Sequence, residues 1–173
     1  MKRRKFVFLT LAAYPFAALS KYKTKTMRDD KGFKVSAGEG RYHGHIQLKG
    51  VNSNILDVKV SGKDTDGGIA VFEQTSVSQG RGTPLHLHYE QDEIFYVLEG
   101  EYLFLSGDQK HQLKTGDSIF LPRMVPHAWT QASASGKMTV ILQPAGKLED
   151  FFLTMAAMDN EPTREEMAKV FED

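Results

Sequence analysis

The chain of 173 residues contains no cysteine. Disulfides, iron–sulfur clusters and zinc–thiolate sites are therefore excluded, and any metal must be held by nitrogen and oxygen. Neither charge is in excess, since 22 Lys and Arg balance 22 Asp and Glu. No basic tract lies in the body of the chain, so no nucleic-acid partner is expected. Long apolar runs are absent too. The longest, residues 6–19, holds 14 residues and is broken by Thr10 and Pro15, against the roughly 20 that a membrane span needs. There is no internal repeat, no low-complexity tract and no nucleotide-binding motif.

The N-terminus does carry an ordered series. Lys2-Arg3-Arg4-Lys5 is basic, residues 6–19 are apolar, and Ala18-Leu19-Ser20 supplies small residues at the end. That order predicts a signal peptide over residues 1–20, and hence an exported protein, periplasmic or extracellular. The mature chain would begin near Lys21 and have no membrane span. Arg3-Arg4-Lys5-Phe6-Val7 also resembles a twin-arginine signal. Export in the folded state would allow metal uptake in the cytoplasm, away from copper and zinc, which win on raw affinity.

Residues 21–35 are polar and lysine-rich and read as a linker or an N-terminal strand. Residues 36–146 carry the signals of many short strands: alternation, β-branched and aromatic residues, and closely spaced turns. Strands are expected at 55–60, 69–75, 94–98, 102–105 and 137–143, the last stopped by Pro144. Turns are expected at 63–68, 106–108 and 115–117, and Glu99-Gly100 reads as a hairpin turn. The fold class is all-β, a sandwich or barrel. The tail, residues 147–173, changes character. Over residues 147–158, Leu148, Phe151, Phe152, Met155 and Ala156 have helical spacing. Thr163 with Glu166 resembles a capping box that opens a second short helix running to Phe171. These helices would pack on the barrel or on another subunit, and a homodimer is expected.

Four residues stand out. His86, His88 and Glu93 lie in the string GRGTPLHLHYEQDEIFYVLEG, and His127 closes GDSIFLPRMVPH. Residues two apart on a strand point the same way. His86 and His88 can therefore share one ion. His127 must join them from a neighbouring strand. Three neutral imidazoles and one carboxylate can hold a single divalent metal and leave positions open for water or substrate. Iron, manganese, nickel, copper, cobalt and zinc all suit such a set.

The two strings resemble the paired motifs of the cupin superfamily. The first motif is Gly, five residues, His-x-His, three or four residues, Glu, six residues, Gly. Gly80, His86, His88, Glu93 and Gly100 fill every place. The second is Gly, five residues, Pro-x-Gly, two residues, His, three residues, Asn. Gly116, Pro122 and His127 fit it, with Met124 in place of Gly and Gln131 in place of Asn; neither position is a metal ligand in the family. The motifs lie 15 residues apart, as in small single-domain bacterial cupins. The chain is similar, more loosely, to the quercetin 2,3-dioxygenase-like group, including Pro144-Ala145-Gly146 ahead of Phe151-Phe152. The resemblance implies a double-stranded β-helix, or jelly-roll barrel, over residues 36–146 with short C-terminal helices. It also implies one divalent metal ion on the four residues, and Glu93 as both ligand and proton acceptor.

Other features compete for attention. His43 and His45 form a second His-x-His, but no carboxylate follows at matching spacing, so they are expected to be exposed or to line a pocket. His111 is expected at the surface. The stretch 64–68 faintly resembles a calcium loop but lacks the later ligands, and a hairpin turn fits it better. Trp129, two residues beyond His127, shares its face and is a pocket candidate. Phe95 and Val97 share parity with Glu93 and are candidates on the same ground. The function this implies is an exported mononuclear metal dioxygenase acting on a small aromatic or enolic molecule. The alternatives are a non-catalytic metal or small-ligand binding protein, and a metal-dependent isomerase or decarboxylase.

Overall fold

A computed structural model of the chain describes residues 31–158. The expected signal peptide, 1–20, and the expected second tail helix lie outside the described residues. Ten strands and one α-helix follow in order: β1 (Ile46–Gln47), β2 (Ile55–Val60), β3 (Ala70–Ser76), β4 (Gly82–His86), β5 (Asp92–Glu99), β6 (Glu101–Ser106), β7 (Gln109–Lys114), β8 (Ser118–Leu121), β9 (His127–Gln131), β10 (Gly136–Gln143) and α1 (Leu148–Ala157).

The strands form two antiparallel sheets. One has six strands in the order β1-β2-β3-β10-β5-β8, and the other has four in the order β4-β9-β6-β7. Their inner faces meet to make a jelly-roll sandwich. Strict alternation puts one face of each strand inside. From β3 these are Ala70, Phe72, Gln74 and Ser76, and from β10 Gly136, Met138, Val140 and Leu142. Phe95 and Val97 of β5, Tyr102 and Phe104 of β6 and Trp129 of β9 complete the core.

Two local expectations are corrected. Glu99-Gly100 is not a hairpin turn. β5 pairs with β10 and β8, whereas β6 pairs with β7 and β9. Gly100 is instead the corner at which the chain crosses from one sheet to the other. Its φ is +84°, and a Cβ there would lie 2.5 Å from both Ser133 Oγ and the Ser135 carbonyl. A true hairpin lies one strand later, where Ser106 faces Gln109 across a two-residue turn. The stretch 63–68 does join an antiparallel pair, β2 and β3, but not as a simple turn. Residues Gly62–Thr65 form one turn of 3-10 helix, with Ser61 and Asp64 as a reciprocal capping box. Asp64 also takes a bidentate ion pair from Arg41.

α1 begins and ends within one residue of the expected 147–158. It closes the open side of the sandwich: Phe152 packs edge-on against Phe72 at 5.4 Å. Its first turn is anchored by Glu149, which accepts from Ser61 Oγ at 2.6 Å and lies 3.1 Å from His43 Nε2. Beyond its end, the Met158 carbonyl accepts from Lys49 Nζ at 2.6 Å.

Candidate metal centre

Both sheets contribute to the site. β4 ends at His86, and His88 follows two residues later, off the strand end. His127 opens β9 and faces His86 directly in the register of the four-stranded sheet. Glu93 comes from β5 in the opposite sheet, between Leu142 and Leu121. One ligand atom from each of the four residues lies within 4.8 Å of every other. Among the described residues no other His, Asp and Glu side chains form a comparable group. Glu93 and His127 are buried, at 5% and 1% exposure, while His86 and His88 are half-buried.

The hydrogen bonds around the imidazoles decide which nitrogen is available. His127 Nδ1 lies 2.9 Å from the Val125 carbonyl, and His86 Nδ1 lies 2.8 Å from the Pro84 carbonyl. A carbonyl oxygen can only accept, so each Nδ1 carries its hydrogen. In the neutral ring the lone pair then sits on Nε2. The Nε2 atoms of His88 and His127 approach Glu93 Oε1 and Oε2 at 3.2 and 3.3 Å. Both are buried and make no hydrogen bond. At His127 the lone pair faces a carboxylate, and the two repel unless a positive species lies between them. A proton or a metal ion meets that need, and the donor set of three imidazoles and one carboxylate fits a divalent metal.

The same contacts move the titrations. Burial alone would raise the Glu93 carboxyl, but His127 and His88 outweigh it and hold the group down at about 2. His127 is pulled down by burial, yet Glu93 and the Val125 carbonyl leave it raised. Burial dominates at His86, which is lowered.

Several groups around the ligand loops brace them, and of these Asp92, Arg123 and Gln91 did not stand out in the sequence. Asp92, beside Glu93, takes the Arg123 backbone N–H at 2.8 Å and its guanidinium at 2.6 Å. That clamp joins the β5 end to the loop that leads to His127. Met124 N–H donates to the His88 carbonyl at 2.8 Å. Met124 holds φ +65°, the left-handed conformation that the family's Gly adopts freely. The loop thus keeps its turn despite the bulkier residue. Gln91, buried between His88 and Glu93 in sequence, donates to the Pro144 and Ala145 carbonyls at 2.7 and 2.8 Å. It ties the ligand loop to the segment that enters α1. Gln131, in the place of the family's Asn, is fully buried. It accepts from Ser78 N–H at 2.9 Å and donates to the Ser133 carbonyl at 2.9 Å.

A cavity of about 670 Å³ is lined at one end by His86, His88 and Glu93, and by residues of α1 and of the β1–β2 loop. Phe95 and Trp129 line it. Val97 does not: it is fully buried, as is its ladder partner Met138. His43 and His45 stand outside the cavity, paired with Glu149 and with Asp57 at 2.6 Å. His111 is half-buried on β7.

The comparisons agree with this architecture. The family model described as "Cupin domain" matches residues 74–142, which takes in both motifs, and the chain belongs to the cupin superfamily. An uncharacterized protein of Methanocaldococcus jannaschii is 43% identical over 51 residues, 30% of this chain and 41% of that protein. Quercetin 2,3-dioxygenase of Bacillus subtilis is 33% identical over 93 residues, 54% of this chain and 27% of that protein. The chain thus spans less than half the length of either relative. An RmlC-like cupin from Shewanella frigidimarina superposes with a TM-score of 0.52 at 19% identity, covering 72% of this chain and 99% of that one. FeII HppE gives 0.52 at 24% identity, covering 66% and 62%. At these identities the likeness is one of fold.

Proposed function

We propose that this chain is a mononuclear metal-dependent dioxygenase acting on a small aromatic or enolic molecule. One observation carries the reading: the three-imidazole, one-carboxylate cluster presents His86, His88 and Glu93 to an apolar cavity large enough for an aromatic ligand. The partial match to quercetin 2,3-dioxygenase, given above, supports it. A divalent metal bound by His86, His88, Glu93 and His127 would supply Lewis acidity and a meeting point for substrate and dioxygen.

The protein's own groups do the rest. Phe95 and Trp129 exclude water and hold a flat ligand. The Nδ1 bonds to Pro84 and Val125 hold the His86 and His127 rings in one orientation. While both imidazoles press on it, Glu93 is ionised and a weak base. Its role as proton acceptor requires His88 and His127 to be neutral, with lone pairs rather than N–H groups aimed at the shared centre.

The cavity's other titratable groups are Lys49, which is half-buried, and Tyr89, Glu90 and Lys147, which are exposed. An isomerase or decarboxylase needs an additional acid or base inside, and this disfavours that reading. The test is oxygen uptake by the metal-loaded protein with a panel of flavonols, catechols and enediols. Uptake with at least one compound is expected. Binding without uptake would replace this reading with that of a small-ligand binding protein.

Export through the N-terminal segment belongs to the same proposal. N-terminal sequencing of the native protein tests it: a start near Lys21 is expected, and an intact Met1 would defeat it. A homodimer is proposed as well. It is motivated by Tyr96, Leu98 and Phe120, exposed at 44%, 38% and 57% on the outer face where β5 meets β8. Sedimentation at micromolar concentration decides between one copy and two.

A further inference from the structure

The cavity has a second end. Its lining includes Gln74, from the middle of β3. Gln74 faces Met138, and Met138 faces Val97. Gln74 is therefore level with a position four residues along β5 from Glu93, about 13 Å at the rise of a strand. Between the two ends the walls are apolar and aromatic: Phe95 and Val140, partners across β5 and β10, with Trp129 from β9.

Gln74 is 4% exposed. An inward position of a sandwich strand ordinarily takes an apolar side chain, and a buried amide there must find partners. Half of this one is satisfied. Its Nε2 donates to Ser76 Oγ at 2.8 Å, and the same oxygen accepts from the Tyr102 hydroxyl at 2.8 Å. Tyr102 and Ser76 are both fully buried, so the amide plane is fixed from behind. Among the described residues nothing donates to the amide oxygen. The result is a preorganised acceptor at the far end of an apolar cavity whose near end is the metal centre.

We infer that the cavity reads its ligand at two points. A chelating group sits at His86, His88, Glu93 and His127. A hydrogen-bond donor, a hydroxyl or N–H on the order of 10 Å away, sits on the Gln74 amide oxygen, with a flat apolar body between. Gln74 is in this account a specificity-determining residue. The inference rests on the reading of the four residues as a metal centre and of the cavity as its substrate site. It adds the substrate class: elongate aromatic molecules with a donor at the end remote from the chelating group. A buried acceptor left unpaired penalises a ligand that lacks the donor.

Three flavonol probes separate the possibilities. 3-Hydroxyflavone carries the chelating hydroxyketone alone. 3,4′-Dihydroxyflavone adds a remote donor, and 3-hydroxy-4′-methoxyflavone puts a remote acceptor in its place. Each is titrated under nitrogen into zinc-loaded protein, with Trp129 emission reporting occupancy. The wild type should bind the 4′-hydroxy probe about tenfold tighter than either other probe. Gln74→Met, of similar length and without the acceptor, should abolish that preference by weakening the 4′-hydroxy probe alone. The wild-type comparison stands even if the variant fails to fold. Equal wild-type affinities, or a methoxy probe that binds as tightly as the hydroxy probe, would overturn the inference alone. Failure of all three to bind would overturn it together with the reading beneath it.

Discussion

Removing the metal should leave the protein sensitive to acid through a single carboxyl. Glu93 is held at about 2 between His127 and His88, against the value of 4.5 for a free glutamate. The folded state therefore binds this proton less readily than the unfolded chain. The stability it contributes is fully present above the unfolded value and is lost as pH falls through the folded one. A difference of a little over two pKa units corresponds to roughly 3 kcal/mol, a large part of the 5–15 kcal/mol typical of a domain. His127 runs the other way. Its folded value is raised, so its contribution is present below its unfolded value and lost as pH rises through the folded one. The apo-protein is then most stable in the window between the two titrations, where Glu93 is ionised and His127 is protonated. The measurement is urea unfolding of chelator-treated wild type and Glu93→Gln over a pH series. The wild-type advantage should shrink by about 3 kcal/mol between about pH 5 and about pH 2, with m unchanged. A gap that stays constant to within about 0.5 kcal/mol would refute the reasoning, because the carboxylate would then be neither ionised nor held by its imidazoles.

Three further outcomes are expected. His86→Ala and His127→Ala should each lower metal affinity by more than about tenfold, measured as metal per chain after dialysis, while His43→Ala should leave it unchanged. Cobalt(II) or copper(II) loading should quench the emission of Trp129, the single tryptophan, because that residue lines the cavity beside the centre; unchanged emission at full occupancy would contradict its position. Gln131→Leu keeps volume but strips the acceptor from Ser78 N–H and the donor from the Ser133 carbonyl. It should cost about 2–4 kcal/mol in urea unfolding.

How much of this was legible in the sequence depended on whether the signal was local. The clustering of His86 and His88 was legible because two residues apart on an extended chain share a side, even though His88 lies just beyond the end of β4. The helix over 147–158 was legible because its apolar residues repeat at the helical period. Gly100 was misread because a glycine with positive φ serves a hairpin and an inter-sheet corner equally, and only the pairing of β5 and β6 distinguishes them. Val97 does not line the cavity, because parity tells which residues point inward but not which of them border a cavity. Gln74 did carry a signal. It shares parity with Phe72 and Ser76, which turns an ordinary polar residue into a buried one. Asp92, Arg123 and Gln91 carried none, since polar residues in a loop look alike until the loop is folded.

Those last residues bear on why the site can be precise although two of its ligands lie at loop ends. His88 is beyond β4 and His127 opens β9, positions that ordinarily fray. Three bonds counter this, each linking one ligand segment to another part of the fold. Arg123 joins the His127 loop to Asp92, the neighbour of Glu93. Met124 N–H joins the same loop to the His88 carbonyl. Gln91 joins the segment between His88 and Glu93 to the root of α1. Each ligand segment is thereby restrained by a group that is not itself a ligand, as outer hydrogen bonds orient metal ligands elsewhere. Because Gln91 also sits at the foot of the helix that roofs the cavity, a ligand pressing on α1 acts mechanically on the chain between two metal ligands. On the proposed reading, substrate fit and the geometry of the metal site would be coupled through one buried amide.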